Sequence, residues 1–327
     1  MRFGFIPSEG GDRFRDALAE AELGERLGFD SVWLEEHHSV RDHYWPSPLV
    51  VLAAIAARTE RITLGTDVIV LPFYRPVRLA EDVAVLQGIA NGRFVLGLAA
   101  GYKPDEFRLH DADLEGRGGR LEEAVGLLRA LWAGEIVHHE GRDYRADGRI
   151  EPLPSPPPPI WLGGWGPKTI ERAARIADAW VPGPTADLPR LLSLRLDYDA
   201  ALRTAGKDPA GVRRPLTREV VVARSDDAAW DLAERHLLVN YRDEYGGGWS
   251  HPLVGAADAT PTDRLDRLAE GRFIVGSPET CIATIRAIQD AYGPDELICR
   301  LFFAGLPHEV LVEELRLLAA DVLPAFR

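Results

Sequence analysis

An α/β protein folded as a single (β/α)8 TIM barrel is the fold class this sequence predicts, with insertions after strand four and a mobile lid loop between strands seven and eight. Three observations carry it. Short apolar or β-branched runs alternate with helix-period stripes along the chain. Eight such strands fit within 327 residues, a length that one barrel occupies. No short repeat marks a solenoid, and 46% hydrophobic residues can bury a large core. One domain over 1–327 is therefore expected, although length alone would also allow two smaller ones.

The first strand is read at 3–6 and is stopped by Pro7-Ser8-Glu9-Gly10-Gly11. Phe14, Leu18, Ala21 and Leu27 then make a helical stripe that ends at Gly28. Strand two, 31–35, leads into a polar loop holding Arg41, Asp42, His43 and Tyr44, and a helix follows from Pro48 to about residue 57. The β-branched run 62–71 is read as one strand, followed by a helix over 77–89 that Asn91-Gly92 stops. Strand four at 94–98 precedes a polar loop through Glu115 and a helix over 119–132, whose stripe of Leu121, Val125, Leu128 and Leu131 is core.

Residues 134–158 carry Gly141, Gly148 and a run of prolines that neither helix nor central strand tolerates. They read as an excursion with a hairpin at 136–144, or as a linker. Beyond them come strand five at 160–162, a helix over 168–177, strand six at 179–181 and a helix over 188–204. Strand seven at 219–223 is followed by a helix over 227–239. From 240 to 262 the pattern dissolves around Gly246-Gly247-Gly248, a stretch read as the lid. A short helix at 263–268, a turn at Val275-Gly276-Ser277-Pro278, a helix over 280–292, strand eight at 296–303 and a helix over 309–318 complete the chain.

A formal net charge of −13 argues against nonspecific nucleic-acid binding and against docking on an anionic membrane. Cys281 and Cys299 match neither a disulfide framework nor a CxxC metal site, which is the pattern of a reducing cytoplasm. The first strand begins directly after Met1-Arg2, so no signal peptide is expected, and no apolar run is long enough to span a bilayer.

Barrel chemistry gathers at the C-terminal ends of strands. Strand two ends in Glu36-His37-His38, strand three holds Asp67-Val68, strand four ends in Ala99-Ala100-Gly101-Tyr102, and strand five in Gly163-Gly164-Trp165-Gly166. His37 and His38 are adjacent, so on an extended strand end one of them faces the pocket. A neutral imidazole there can move a proton near pH 7, with Glu35 or Glu36 setting its tautomer. A solvated strand cap is the plain alternative. A metal site fits poorly, because matching ligands are lacking at the ends of strands five, six and eight. The loop Gly163 to Thr169 offers amides, a helix start, Lys168 and Thr169 to a phosphate, or is simply a tight turn. Asp67 sits in an apolar run and needs a partner or a ligand beside it. Trp33, Trp161 and Trp180 read as core.

Three stretches resemble the bacterial luciferase-like flavin monooxygenase family: Gly28-Phe29-Asp30-Ser31-Val32-Trp33-Leu34-Glu35-Glu36-His37-His38; Leu64 to Pro72 continuing through Pro76 to Val83; and Gly92-Arg93-Phe94-Val95-Leu96-Gly97. Looser similarity continues at the strand-five loop and at Gly276-Ser277-Pro278-Glu279. The resemblance implies a barrel that binds reduced FMN, supplied by a separate flavin reductase, or the deazaflavin F420. It implies that His37 acts at the flavin and that a nonprolyl cis peptide falls at about Asp67-Val68; Glu36 or a backbone group is expected to orient His37. Cofactor contacts are expected from Asp67, Val68, Ala99, Gly101, Tyr102, Gly163, Gly164, Trp165, Gly166, Lys168 and Thr169. Luciferase α subunits carry a reactive cysteine and a phosphate-binding arginine where this chain has Ala99 and Ala100, and an acid and a serine where it has Gly164 and Trp165. Light emission is accordingly not expected, and phosphate binding must rest on amides and Lys168.

The resulting expectation is a cytoplasmic monooxygenase, implied to be a homodimer, that uses reduced FMN and O2 on a small hydrophobic substrate. Trp45, Tyr102, Phe107, Tyr241, Tyr245 and Trp249 in the loops suggest that hydrophobicity. The alternatives are an F420-dependent hydride-transfer oxidoreductase on the same barrel and a noncatalytic flavin-binding subunit.

Overall fold

The structure, a computed structural model, describes residues 1–41, 43–245 and 264–327. It is an α/β fold built on a curled, wholly parallel sheet. In chain order the strands of that sheet are β1 (Arg2–Ile6), β2 (Ser31–Leu34), β3 (Thr63–Thr66), β4 (Ile69–Val70), β5 (Phe94–Ala99), β8 (Ile160–Gly163), β9 (Ala179–Val181), β10 (Pro215–Val222), β11 (Ile274–Gly276) and β12 (Glu296–Arg300). Between β5 and β8 the strands β6 (Val137–Glu140) and β7 (Arg145–Gly148) form a separate antiparallel hairpin. The spatial order is β11-β10-β12-β1-β2-β3-β5-β8-β9, with β4 on β5. Ala179 at the start of β9 makes a parallel bridge to Arg213, just before β10, so the sheet curls back on itself.

Helices cover the outside: α1 (Phe14–Leu27), α2 (Pro48–Ala56), α3 (Pro76–Ile89), α4 (Pro104–Leu109), α5 (Arg117–Trp132), α6 (Pro167–Ile176), α7 (Leu188–Thr204), α8 (Asp226–Leu232), α9 (Leu238–Tyr245), α10 (Leu265–Ala269), α11 (Pro278–Tyr292) and α12 (His308–Leu317). Among the described residues none is long and apolar enough to cross a membrane.

Strand side chains alternate between two cores, as a period of two requires. Phe3, Phe5, Val32, Leu34, Leu64 and Leu96 face the helices. Ile6, Trp33, Val95, Trp161, Val181 and Ile298 fill the inside of the curl, where Trp33 and Trp161 stack with ring centroids 4.7 Å apart. Trp180 is buried on the outer side against Tyr198. Above the inner apolar plug lies a charged layer of Glu9, Glu35, Asp67, Glu219 and Arg300.

Several sequence expectations change. The run 62–71 is not one strand: Gly65 pairs with Val95, but the next partners are Ile69 and Leu98, so four steps on one strand meet three on the other. The extra residue falls at Asp67-Val68, whose peptide bond is cis. Thr66 Oγ1 occupies the gap, donating to the Gly97 carbonyl and accepting from its amide, both at 2.8 Å. A Cβ at Gly97 would lie 1.9 Å from the Thr66 carbonyl oxygen, so only glycine fits this approach.

The polar loop through Glu115 contains a helix, α4, started by Pro104. Strand seven begins earlier than 219, because Pro215 to Arg218 pair with β12 and are buried. Strand eight ends at Arg300, where pairing with β10 and β1 stops. The turn at 275–278 includes β11, paired to β10. The hairpin's second strand runs beyond 144 to Gly148. The helix after β10 continues to Tyr245 through one π-helical stretch, Ala233–Leu237, so 240–245 are helical; the remainder of the expected lid, 246–262, lies outside the described residues, as does Asp42.

Candidate functional site

A cavity of about 970 Å³ opens at the C-terminal ends of β2, β3, β5, β8 and β9. It collects both expected histidine-side residues, Glu36 and His37, and the eleven expected cofactor contacts: Asp67, Val68, Ala99, Gly101, Tyr102, Gly163, Gly164, Trp165, Gly166, Lys168 and Thr169.

On one wall the chain leaves β2 and presents His37 to the cavity. Its Nδ1 lies 2.8 Å from Glu106 Oε1 and its Nε2 3.3 Å from the Tyr102 hydroxyl. A carboxylate accepts only, so Nδ1–H donates to Glu106, and Nε2 faces the Tyr102 hydroxyl. Tyr44 packs edge-on against the ring, centroids 4.6 Å apart. Burial alone would raise the Glu106 carboxyl, but the hydrogen bond and charge of His37, the His38 amide and Lys103 hold it below the ordinary range. The partner of His37 is thus Glu106 and not Glu36.

Glu36 faces the other way. Its carboxylate accepts from the Val70 amide and, at 2.6 Å, from the Tyr74 hydroxyl, and His38 Nε2 lies 3.3 Å from it. His38 is buried against Phe73 and His110. The alternation of adjacent side chains separates the two histidines as expected.

At the floor, Asp67 takes a hydrogen bond from the Thr217 hydroxyl. Burial pushes its carboxyl up to about 6, against the opposing pull of Thr217 and Arg300 and with Glu296 adding to the rise. Arg300 is the cation of this layer: its Nε lies 2.9 Å from Glu35 and its Nη2 donates to the Tyr44 hydroxyl at 2.6 Å. Glu219 is wholly buried, which raises its carboxyl against the charge of Arg300 and the hydrogen bond from Tyr241.

The other wall is the loop between β8 and α6. Gly164 has φ +130°, a backbone shape that suits glycine, and its carbonyl accepts from Trp180 Nε1 at 2.8 Å. Gly166 precedes Pro167 at the first helical position, and Lys168 and Thr169 follow in the first turn. Two cations that the sequence reading missed also line the cavity, Arg117 at the start of α5 and Arg172 one turn along α6. Arg117 Nε donates to the Gly101 carbonyl at 2.9 Å, and Arg172 Nε lies 2.6 Å from Glu122. The i+4 spacing of Arg172 from Lys168 was the available signal.

Of the loop aromatics, Tyr102 lines the cavity, whereas Trp45 is buried under Phe14, Phe107 packs on Phe73, and Tyr241 is buried on Glu219. The side chain of Tyr245 and all of Trp249 lie outside what the structure describes. Among the described residues no group of three or more His, Cys, Asp or Glu is arranged to hold a metal ion.

F420-dependent glucose-6-phosphate dehydrogenase of Amycolatopsis mediterranei is 26% identical over 96% of this chain and 95% of that enzyme. The oxygenase component of flavin-dependent trigonelline monooxygenase of Acinetobacter baylyi is 31% identical over 50% of this chain and 46% of that protein. The chain spans about half the length of several of the relatives it matches. Among solved structures, monooxygenase RslO1 from Streptomyces bottropensis shares the fold with a TM-score of 0.87 at 26% identity, each chain covered at 100%. Residues 1–294 match the family described as luciferase-like monooxygenase, so this chain belongs to that family of flavin- and F420-using oxidoreductases.

Proposed function

We propose that the protein is a monooxygenase that uses reduced FMN and O2 to oxidise a small, largely hydrophobic organic substrate. The observation that supports it most is His37: an imidazole held through Nδ1 by Glu106, with Nε2 presented to the cavity beside the Tyr102 hydroxyl. We read the curled sheet, β9 and β10 meeting at Ala179 and Arg213, as the eight-stranded barrel of one domain over 1–327.

The residues fit a flavin. The cavity is at the large end of small-molecule sites, with room for a substrate beside the cofactor. Asp67-Val68 and Ala99 to Tyr102 would wall the ring system. The loop Gly163 to Thr169 would hold the phosphate through its amides and Lys168, with Arg117 and Arg172 adding charge. When bound, the reduced flavin supplies the activation of O2. The chain supplies position, a wall of aromatic rings, and a proton path. His37 Nε2 gives or takes a proton at the cavity face, while Glu106 fixes its tautomer and steadies its charge when it protonates. Glu36 is a positioning residue: by binding the Val70 amide, Tyr74 and His38, it pins the strand end so that His37 faces inward.

Reduced FMN would arrive from a separate reductase, in keeping with the relative named as an oxygenase component. A homodimer in the cytoplasm completes the reading. Its support is α2, apolar at every position yet with Val50 70% exposed, since a helix apolar all round is normally buried.

A second reading, an F420-dependent hydride-transfer oxidoreductase, is favoured by the relative aligned over 96% of this chain. Titrating the protein freed of cofactor with FMN and with F420 separates them. One-to-one quenching of FMN fluorescence is expected; saturable binding of F420 with none of FMN would replace the first reading by the second.

A further inference from the structure

We propose that Tyr44 is a substrate-binding residue of the main cavity, and that its hydroxyl donates a hydrogen bond to a neutral oxygen, hydroxyl or carbonyl, of the organic substrate. This rests on the reading that the cavity takes an organic substrate beside His37, and it adds the residue that reads one atom of that substrate.

The loop after β2 is folded to bring this side chain in. It returns to the strand end, where Trp45 bridges Glu36 and its amide donates to the Glu35 carbonyl at 3.3 Å. Tyr44 itself has φ +63°, a left-handed backbone that few residues other than glycine adopt and that clusters at functional sites. Gly10 holds it there. A Cβ on Gly10 would lie 2.6 Å from the His43 amide nitrogen, so the turn after β1 packs directly on the backbone that precedes Tyr44. Trp45 is then buried under Phe14, while Tyr44 lines the cavity.

The hydroxyl is prepared as a donor. Arg300 Nη2 donates to it at 2.6 Å, and both side chains line the cavity, so the bond between them lies at its wall. Arg300 is held in turn, with Nε 2.9 Å from Glu35 and Nη1 3.7 Å from Glu219. A guanidinium only donates, so the phenol oxygen accepts and has one hydrogen of its own to give. A hydroxyl that accepts from a cation is polarised into a stronger donor. The ring stands edge-on to His37 with centroids 4.6 Å apart, so a ligand that touches the imidazole is within reach of the phenol.

The surrounding charge selects a neutral acceptor. Glu9, Glu35, Asp67 and Glu219 all act on the single guanidinium of Arg300, which leaves no positive excess for an anion. Lys103, 5.9 Å from the Tyr44 ring centroid, is answered by the carboxylate of Glu106. A site built around such a donor discriminates against ligands that lack the acceptor.

The probes are 2-naphthol, naphthalene and 2-naphthoate, measured by equilibrium dialysis against the full chain without cofactor and again with saturating FMN. 2-Naphthol should bind saturably, and Tyr44→Phe should weaken it about tenfold while naphthalene and 2-naphthoate stay within about twofold. The unchanged naphthalene affinity shows that the variant keeps its fold. The proposal is overturned if 2-naphthol shows no saturable binding or binds the variant as well as the unaltered protein. It is overturned too if naphthalene is weakened equally, which makes Tyr44 part of the wall only, or if 2-naphthoate is, which makes the acceptor an anion. The readout is probe binding with and without FMN, so failure of FMN to bind would remove the proposed cofactor and leave this result standing.

Discussion

The two walls of the main cavity are built on opposite plans. On the histidine wall, side chains hold side chains: Glu106 fixes His37, Tyr102 faces its Nε2, Tyr44 backs its ring and Arg300 holds Tyr44. On the glycine wall, Gly163 to Gly166 bring the backbone itself to the cavity, and Lys168, Arg117 and Arg172 surround it with positive charge. Proton transfer demands a fixed rotamer and tautomer, so it needs a web of partners. A phosphate demands donors and positive charge within reach, which amides and long cations satisfy without a unique geometry. Damage to the first wall should therefore appear in turnover, and damage to the second in affinity.

The largest effect should come from the first wall. His37→Ala removes the nitrogen proposed to handle the proton and should lower coupled turnover by about 100-fold or more while leaving cofactor affinity within a few-fold. Glu106→Gln keeps the shape but not the charge and should cost about tenfold, with an altered pH profile of turnover because the imidazole loses its anionic partner. Steady-state rates with a flavin reductase, beside cofactor titrations, read both quantities. If His37→Ala weakens cofactor binding and spares turnover, the division between the walls is wrong.

How much of this was visible beforehand follows from the range of the interactions involved. The strand order and His37 were legible because strands carry local hydrophobic runs and because strand ends are where polar residues break them. The alternation of side chains also showed that only one of His37 and His38 would face the cavity, and the family resemblance picked His37. Glu106 was not legible: it sits in a helix of 6 residues, too short to show a period, inside what reads as a polar loop. The break in β3 depends on Thr66 meeting Gly97, a contact 31 positions apart. The extension of α8 into α9 passes through a π-helical stretch that shifts the stripe, so the sequence pattern ends the helix early. β11 has 3 residues and is recognisable only from its pairing with β10. Arg117 was masked by the glycines that flank it.

Between the two walls lies Asp67, and its effect should be on stability. Burial raises its folded carboxyl from the ordinary 3.8 to about 6. A raised acid favours the folded state fully below its unfolded value, and that stability is lost as pH rises through the folded value. Asp67→Asn does not titrate, so the stability of the natural protein relative to the variant should fall as pH goes from about 4 to about 6, by up to about 3 kcal/mol, and stay level above about 7. Urea unfolding of both proteins across that window is the measurement. A difference that does not change with pH would mean that Thr217 and Arg300 compensate the burial entirely.

The smallest effect belongs to the glycine wall and tests the contrast most directly. Arg172 reaches the cavity from the second turn of α6 while its Nε holds Glu122. It is one of three cations beside a set of backbone donors, so its removal takes away charge and leaves the loop's shape intact. Arg172→Gln should weaken cofactor binding by about three- to tenfold, more at low ionic strength than at high, since a partly solvated charge is screened. At saturating cofactor its turnover should match that of the unaltered protein, because among the described residues Arg172 bonds Glu122 and not His37, Glu106 or Tyr102. A fall in saturated turnover as large as that of Glu106→Gln would show that the phosphate wall also sets the geometry of the reacting ring, and the two plans would then be one.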